Sequence, residues 1–364
     1  MEIPVVCVQC GAEYPPDANP YLCPQCGGIY DWVGVFRYHS QRAEQAADTM
    51  WQYQKSFNLP AGIHPITLGE GRTPLLADKV AGQKIFYKLE YLNPTGSYKD
   101  RASSILVSFL HSRGVTSAVE DSSGNAGASF AAYAARVGMH ARVFIPESAS
   151  GPKRRQIETY GAELVPVSGP RSAAADAVAR EVGAGAIYAS HAYLPFGMAG
   201  IATIAYEIFE QLGREPGTVI APAGHASLVL GILRGFKALQ AAALIDKIPA
   251  MVAVQSAACA PIWAAFHNKS LPVSESSTLA EGVKVLRPVR ATALLNELNR
   301  ERDQVLAFDD GQLMAARSDL ARRGIDIEPT SALVWCALTK SDKKLPEPIV
   351  LVLTGSGLKY EGKL

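Results

Sequence analysis

The chain has 364 residues, 48% of them hydrophobic, and its 35 basic and 34 acidic residues give a formal net charge of +1. This composition excludes a disordered chain and predicts a large buried core, in two lobes with a small appendage. No basic tract is interleaved with aromatic residues, so we expect small-molecule partners and no nucleic acid. No stretch approaches the roughly 18 apolar residues that span a membrane, and no secretion signal begins the chain, so we expect no membrane association and a cytoplasmic location.

Four of the six cysteines form two Cys-x-x-Cys pairs near the N-terminus, namely Cys7, Cys10, Cys23 and Cys26. Two such pairs can close a tetrahedral thiolate site around zinc, and a reducing compartment argues against disulfides. Two disulfides or four bare thiols are the alternatives. We therefore predict a structural zinc ribbon at residues 1–30, too short to fold without its metal, and a connector arm at residues 31–63.

Residues 64–364 alternate short β-rich runs with segments of helical periodicity. This alternation predicts an α/β fold in which helices cover parallel sheets. Strands are expected near residues 85–89, 115–120, 141–145, 163–167, 218–222, 251–255 and 349–353. Helices are expected from Lys99 and near residues 126–137, 152–160, 173–182, 200–212, 228–239 and 312–322.

Lys99 is the main candidate for chemistry. It ends the loop Glu90–Tyr98 and precedes a segment in which Ala102, Ile105 and Phe109 follow helical spacing. The positive end of a helix dipole disfavours charge on an amine, and neutral lysine attacks carbonyl groups to form Schiff bases. The alternative, when Lys99 is considered alone, is an ordinary solvated lysine at the start of a helix.

A second loop follows a predicted strand and opens a helix, and it consists of Ser122, Ser123, Gly124 and Asn125. Its backbone N–H groups and the helix dipole suit a substrate carboxylate. An ordinary helix cap is the alternative. His191 lies in a further loop that could border the substrate, and the sequence does not fix the direction of its side chain.

Five stretches together resemble, in order, the fold-type II pyridoxal-phosphate enzymes, and within them the threonine synthase family. They are Gly69–Leu75, Asn93–Arg101, Asp121–Gly127, Ala205–Ile208 and Leu353–Lys359. The resemblance implies a two-lobed parallel-sheet catalytic domain at residues 64–364, with a smaller lobe near residues 103–200 inserted in the larger one. It also implies a homodimer.

The resemblance assigns roles to particular residues. Lys99 would hold pyridoxal 5'-phosphate, and Asn125 would face the phenolic oxygen of the cofactor. Thr354 would face the pyridine nitrogen, where a hydroxyl leaves that nitrogen largely unprotonated and suits eliminations and replacements. The cofactor phosphate would lie at Gly224, His225, Ala226, Ser227 and Leu228.

The resemblance also implies the reaction, which converts O-phospho-L-homoserine and water to L-threonine and phosphate. The substrate phosphate would then be bound by a basic run at a helix start, which consists of Lys153, Arg154 and Arg155. The alternative is that this run is a solvated surface. The chain departs from the family at Ala226 and Ser227, where glycines are usual, and at Tyr360, where an acidic residue is common. Two alternatives therefore stay open, a paralogue that acts by β-elimination or β-replacement on serine, threonine or a phosphorylated amino acid, and a non-catalytic binding protein.

Overall fold

A computed structural model describes residues 4–39, 48–60, 62–149, 151–169, 171–270, 277–341 and 344–361. The chain forms two compact units, the first built from Met1–Glu70 and Lys99–Gly200 and the second from Gly71–Tyr98 and Ile201–Leu364. Within the described ranges, no helix is long and apolar enough to cross a membrane. The domain limits given above stay a prediction, and part of the connector arm, residues 40–47, lies outside the described residues.

The strands and helices follow one another along the chain with these bounds. The strands are β1 (Val5–Cys7), β2 (Tyr30–Trp32), β3 (Leu75–Val80), β4 (Gln83–Lys88), β5 (Ser117–Glu120), β6 (His140–Pro146), β7 (Glu163–Val167), β8 (Thr218–Pro222), β9 (Ala250–Ser256), β10 (Gln304–Phe308) and β11 (Ile349–Val352). The helices are α1 (Lys99–Ser112), α2 (Asn125–Arg136), α3 (Pro152–Thr159), α4 (Arg171–Gly183), α5 (Gly197–Leu212), α6 (Ser227–Ala241), α7 (Pro261–Phe266), α8 (Ala291–Glu297), α9 (Asp310–Arg322) and α10 (Pro329–Lys340).

In its described residues, the first unit contains two sheets. Strands β1 and β2 pair antiparallel as a small N-terminal sheet. Strands β5, β6 and β7 form a parallel sheet with β6 in the middle, and α2 and α4 pack against β6. Helix α1 packs against α2 and is buried from Asp100 to Leu110. The carboxyl ends of β5, β6 and β7 lie along one edge of the parallel sheet.

The second unit is organised around a six-stranded sheet with the order β10-β9-β8-β11-β4-β3. All neighbouring strands are parallel except β3, which pairs antiparallel with β4 at the edge. Helix α10 packs against β8, β9 and β11 and is buried from Pro329 to Leu338. A helix that is covered on all sides needs apolar or small residues on every face, which its sequence provides.

The structure confirms an α/β fold with parallel strands, and it adds elements that the sequence did not predict. Strands β3 and β10 lie at the two edges of the large sheet. No residue of β3 is buried, and its sequence lacks the apolar run that marks a buried strand. Helix α10 was also missed, because a helix that is apolar all round has no helical periodicity to detect.

A fully buried ion pair joins β4 to α5 within the second unit. Lys88 and Glu207 are 0% and 3% exposed, and the Nζ of Lys88 lies 2.7 Å from Glu207 Oε2. The same ammonium group donates to Thr73 O and Gln211 Oε1, while Glu207 Oε1 accepts the N–H of Arg72. Neither charge reaches water, so each depends on its partner for stabilisation.

We predict that Glu207→Ala lowers the free energy of unfolding by about 3–5 kcal/mol, because it leaves the Lys88 ammonium buried without its counter-charge. Urea denaturation measures the loss. The matched control is Glu158→Ala, since Glu158 forms an exposed pair with Arg154 on α3 and should change stability by less than about 1 kcal/mol. Equal effects of the two substitutions would contradict the prediction.

Candidate active site

Lys99 is the first residue of α1, and the residues beside it are locked into the first unit. Asp100 and Arg101 are fully buried, and Asp100 Oδ1 accepts a hydrogen bond of 2.6 Å from Ser129 Oγ on α2. Gly200 packs against this turn so closely that a Cβ there would lie 2.1 Å from Arg101 O. The start of α1 is therefore held by two other helices, and Lys99 itself is half-buried.

The segment before Lys99 belongs to the second unit and is fixed by backbone hydrogen bonds. Tyr98 donates its N–H to Thr354 O, and Gly96 O accepts the N–H of Ser356. Asn93 also donates to the carbonyl and the side chain of Glu90. The predicted lysine loop and the predicted Thr354 segment are thus directly bonded to each other.

Thr354 lies just beyond the end of β11 and is buried. Its Oγ1 lies 2.8 Å from the Oγ of Ser331 on α10, and Ser331 Oγ also accepts the N–H groups of Thr354 and Gly355. One serine hydroxyl therefore sets both the backbone and the side chain of Thr354.

The loop Ser122–Asn125 of the first unit lies at the carboxyl end of β5, where α2 begins at Asn125. Ser122 Oγ accepts the N–H of Gly124, and a Cβ on Gly127 would lie only 1.8 Å from Ser122 O. Only glycine therefore fits at position 127, and the loop rests directly on the first turn of α2. The predicted anion site has the strand-loop-helix form that such sites require.

The loop from Gly224 to Leu228 has the same form in the second unit, between β8 and α6. A Cβ on Gly224 would lie 2.8 Å from Gly282 O, and Ala226 adopts the left-handed conformation at φ 74°. The carbonyl of His225 accepts the N–H of Arg290. Ser227 is the first residue of α6, and Leu228 is buried behind it.

The basic run lies on α3 of the first unit, a helix of eight residues in which only Ile157 is buried. Arg154 donates to Ala149 O and forms an exposed pair with Glu158 on the same helix. Lys153 is half-buried and Arg155 is exposed. None of the three basic side chains is buried.

The four N-terminal cysteines converge. Their sulfur atoms all lie within 4.8 Å of one another, with Cys7 and Cys26 at 3.5 Å and Cys10 and Cys23 at 3.7 Å. Each pair closes with a left-handed glycine, Gly11 or Gly27, whose N–H bonds to the carbonyl of the first cysteine of that pair. The two halves of the cluster are therefore built alike.

The backbone around two of these sulfur atoms favours thiolates. Burial raises the pKa of Cys23, but the N–H groups of Gln25 and Cys26 outweigh it and hold that pKa at about 6. The pKa of Cys7 is likewise lowered, because backbone N–H groups that include that of Cys10 outweigh its burial. Thiolates are the form in which cysteine binds metals.

Cys26 shifts in the opposite direction. The N–H of Gly28 lowers its pKa, but hydrogen bonds to the sulfur atoms of Cys10 and Cys7, together with burial, raise that pKa to about 12. Sulfur atoms this close resist becoming negative together, because each charge disfavours the next. A divalent cation at the centre of the cluster would remove that obstacle.

Comparisons with known proteins decide the family. Residues 66–355 match the family described as pyridoxal-phosphate dependent enzyme. This chain belongs to that family. The threonine synthase of Methanosarcina acetivorans is 31% identical over 97% of this chain and 91% of its own length, and that of Methanocaldococcus jannaschii is 32% identical over 97% and 92%.

Two solved structures carry the comparison to the fold. The threonine deaminase of T.th. has a TM-score of 0.68 and 27% identity, and the match covers 80% of this chain and 94% of that one. Maize serine racemase has a TM-score of 0.69 at 20% identity, over 79% of this chain and 88% of that one, and so it supports the fold alone. The resemblance drawn from the sequence is confirmed.

Several residues that shape the site in this pyridoxal-phosphate enzyme were not found from its sequence. Ser331 gives no signal, because it lies 23 residues before its partner Thr354 and on a helix that was not predicted. Glu120 was also missed, whereas the loop of His191 was noted without its partner; the two residues, 71 positions apart, form a largely buried pair at the end of β5. An acidic residue that ends an apolar strand was the available signal for Glu120.

We predict that Ser331→Ala lowers the free energy of unfolding by about 1–3 kcal/mol, because it leaves two buried N–H groups, those of Thr354 and Gly355, without an acceptor. Urea denaturation checks the loss. Ser112→Ala is the control, since Ser112 is exposed and its hydroxyl donates to the carbonyl of Phe109 within its own helix. A Ser331→Ala variant as stable as the control would show that the two amides have another acceptor.

Proposed function

We propose that this chain converts O-phospho-L-homoserine and water to L-threonine and phosphate. The observation that carries the proposal is the similarity to proteins named threonine synthase over nearly the whole chain, together with Lys99 at the start of a firmly held helix. The curated relatives match the N-terminal segment as well as the catalytic part, since the alignments cover 97% of this chain.

The residues present fit the cofactor of the family. The loop Gly224–Leu228 offers amide groups at a helix N-terminus for a phosphate group, and Gly224 has no room for a side chain. Ser97 Oγ is buried and has no hydrogen-bond partner among the described residues, next to the segment that carries Thr354. A bound polar group would satisfy that hydroxyl, which supports a ligand at this place.

We assign cofactor roles on this basis. Lys99 would hold the cofactor carbon, Asn125 its phenolic oxygen and Thr354 its ring nitrogen. The phosphate would lie at Gly224, His225, Ala226, Ser227 and Leu228. When bound, pyridoxal phosphate supplies an electron sink that makes protons next to the substrate amine removable.

The substrate would be bound by the first unit. Its carboxylate would be taken by the amides of the loop Ser122, Ser123, Gly124 and Asn125, which fixes the amine end of the molecule. Its phosphate would be attracted through charge-assisted hydrogen bonds by Lys153, Arg154 and Arg155. The Lys99 amine would take and return protons at Cα of the substrate and at the carbons beyond it.

A second candidate function is the elimination of water or another group from a smaller amino acid. The similarity to threonine deaminase, at 27% identity, favours it. The two functions differ in the bond that breaks, which lies at the γ-carbon of O-phosphohomoserine and at the β-carbon of threonine. The assay that separates them is therefore release of phosphate against release of ammonia. The homodimer and the cytoplasmic location remain predictions.

We predict that the purified protein is yellow with pyridoxal phosphate and releases phosphate from O-phosphohomoserine, and that Lys99→Ala loses both properties. Lys99 lies in the stretch Asn93–Arg101, which resembles the family, and it also begins a helix, so no other amine should replace it. Absorbance and a phosphate assay measure the two losses, and circular dichroism should show an intact fold.

Lys79→Ala is the control, because Lys79 is exposed on the edge strand β3, and it should keep both properties. If the Lys99→Ala protein were still yellow, another lysine would have to hold the cofactor. A yellow wild-type protein that releases ammonia from threonine but no phosphate from O-phosphohomoserine would favour the second candidate.

We also propose that Cys7, Cys10, Cys23 and Cys26 bind one structural zinc ion. Zn–S bonds of about 2.3 Å in a tetrahedron separate the sulfur atoms by about 3.8 Å. The separations of 3.5 and 3.7 Å in the cluster are close to this value. Two disulfides would need S–S bonds of about 2.05 Å, which these pairs do not approach. The donor set and its spacing therefore support zinc over the alternatives.

We predict that protein purified without chelator contains one zinc ion per chain, and that Gly28→Ala lowers this content. A Cβ on Gly28 would lie 2.7 Å from Cys7 Sγ and would displace that ligand. Elemental analysis measures the metal. The control is Gly183→Ala, because Gly183 is exposed at the end of α4 and a Cβ there would meet no atom within 4 Å. Metal-free wild-type protein would refute the zinc site.

A further inference from the structure

The segment from Ile187 to Tyr193 runs alongside β5 and brings His191 to the carboxyl end of that strand. Val119 donates its N–H to Ile187 O, and Ala189 donates its N–H to Val119 O, at 2.8 and 2.9 Å. The chain then turns tightly, because the Oγ of Ser190 accepts the N–H groups of the two residues after His191. The position of His191 is thus determined by hydrogen bonds on both of its sides.

His191 forms a close pair with the last residue of β5. Its Nδ1 lies 2.7 Å from Oε1 of Glu120, and the two side chains are 12% and 1% exposed. A carboxylate held against Nδ1 fixes the tautomer and the ring orientation and supports proton transfer at Nε2. A histidine held in this way can act as an acid and, after it has lost its proton, as a base.

The pair lies at the start of the loop that we assign to the substrate carboxylate. Glu120 is followed directly by Asp121 and Ser122, and Asp121 Oδ1 accepts a hydrogen bond from Tyr188 OH. Backbone bonds and the Tyr188–Asp121 contact already join the two segments. A buried acid–base pair adds little stability to such a connection, so stability alone does not account for it.

We propose that His191, positioned by Glu120, donates the proton that the leaving phosphate takes up. This inference rests on the proposed function and names a catalytic residue within it. Lys99 takes a proton from Cβ, and the electron pair of that C–H bond forms a Cβ–Cγ double bond as the Cγ–O bond of O-phosphohomoserine breaks. The pair of the Cγ–O bond stays on oxygen, and the Nε2 proton of His191 moves to that oxygen to give hydrogen phosphate. The neutral imidazole then accepts the proton released when water adds its hydroxyl to Cβ, which restores His191.

The test separates leaving-group protonation from every earlier step. Phosphate release from O-phosphohomoserine needs the leaving-group proton, whereas exchange of the Cα proton of L-threonine in D2O needs only cofactor, Lys99 and carboxylate binding. Both rates are measured on the holoenzyme, by phosphate assay and by NMR. The variants are His191→Gln and Glu120→Gln, with His140→Gln as control because His140 is exposed on β6 of the same sheet.

We expect His191→Gln to lower kcat for phosphate release by about 10²-fold or more, which is the usual contribution of a general acid, while Cα exchange changes by less than about threefold. Glu120→Gln keeps His191 but loses its charged partner, so it should show a smaller loss in the same rate. His140→Gln should match the wild type in both rates. An intact circular dichroism spectrum and normal Cα exchange exclude misfolding as the cause.

Two other outcomes would overturn the inference. Equal losses in both rates would assign the pair a structural role. A His191→Gln variant that releases phosphate at the wild-type rate would mean that the leaving phosphate needs no proton from His191. A wild-type enzyme that exchanges Cα protons but releases no phosphate would instead refute the proposed function. The same two rates, measured on the amino acid that the wild type does turn over, would then decide the role of His191.

Discussion

Backbone hydrogen bonds fix the chain immediately before Lys99, and the chemistry assigned to this enzyme depends on them. Tyr98 is bonded to Thr354, and Gly96 is bonded to Ser356. Thr354 is in turn set by Ser331 on the buried helix α10. The segment that ends at Tyr98 and the threonine proposed to face the cofactor nitrogen are therefore positioned by the same hydrogen bonds within the second unit. Displacement of this segment would also displace Thr354.

The same segment is linked to the core by buried polar groups. Asn93 bonds to Glu90, and Glu90 accepts the hydroxyl of Thr73 at 2.6 Å. Thr73 O then accepts from Lys88, whose counter-charge is Glu207 on α5. Polar groups in a low-dielectric interior are costly unless all are satisfied, so such a network tolerates few arrangements. The network makes the loop rigid, and each residue in it must keep its hydrogen-bond partners.

The sequence predicted the parts of the fold and site that depend on local pattern. Parallel strands, the helix from Lys99 and the loop Ser122–Asn125 follow from apolar periodicity and from strand-loop-helix order. The pairing of Ser331 with Thr354 and the pairing at the end of β5 could not be predicted, because contacts between distant residues leave no periodic trace in one sequence. Helix α10 was missed for a related reason, since burial on every face removes the pattern that reveals a helix.

The loop at Ala226 shows how a departure from a family pattern should be weighed. Ala226 keeps the left-handed conformation that a glycine would favour, at a cost of roughly 1–2 kcal/mol. Hydrogen bonds from Leu230 to Ala226 O and from Arg290 to His225 O hold the backbone in place. A retained backbone path presents its amides as a glycine loop does, so this substitution does not itself favour another reaction. Under the proposed function, substrate choice would then depend on the side chains of the first unit, among which the segment that carries His191 is fixed by hydrogen bonds before and after that residue.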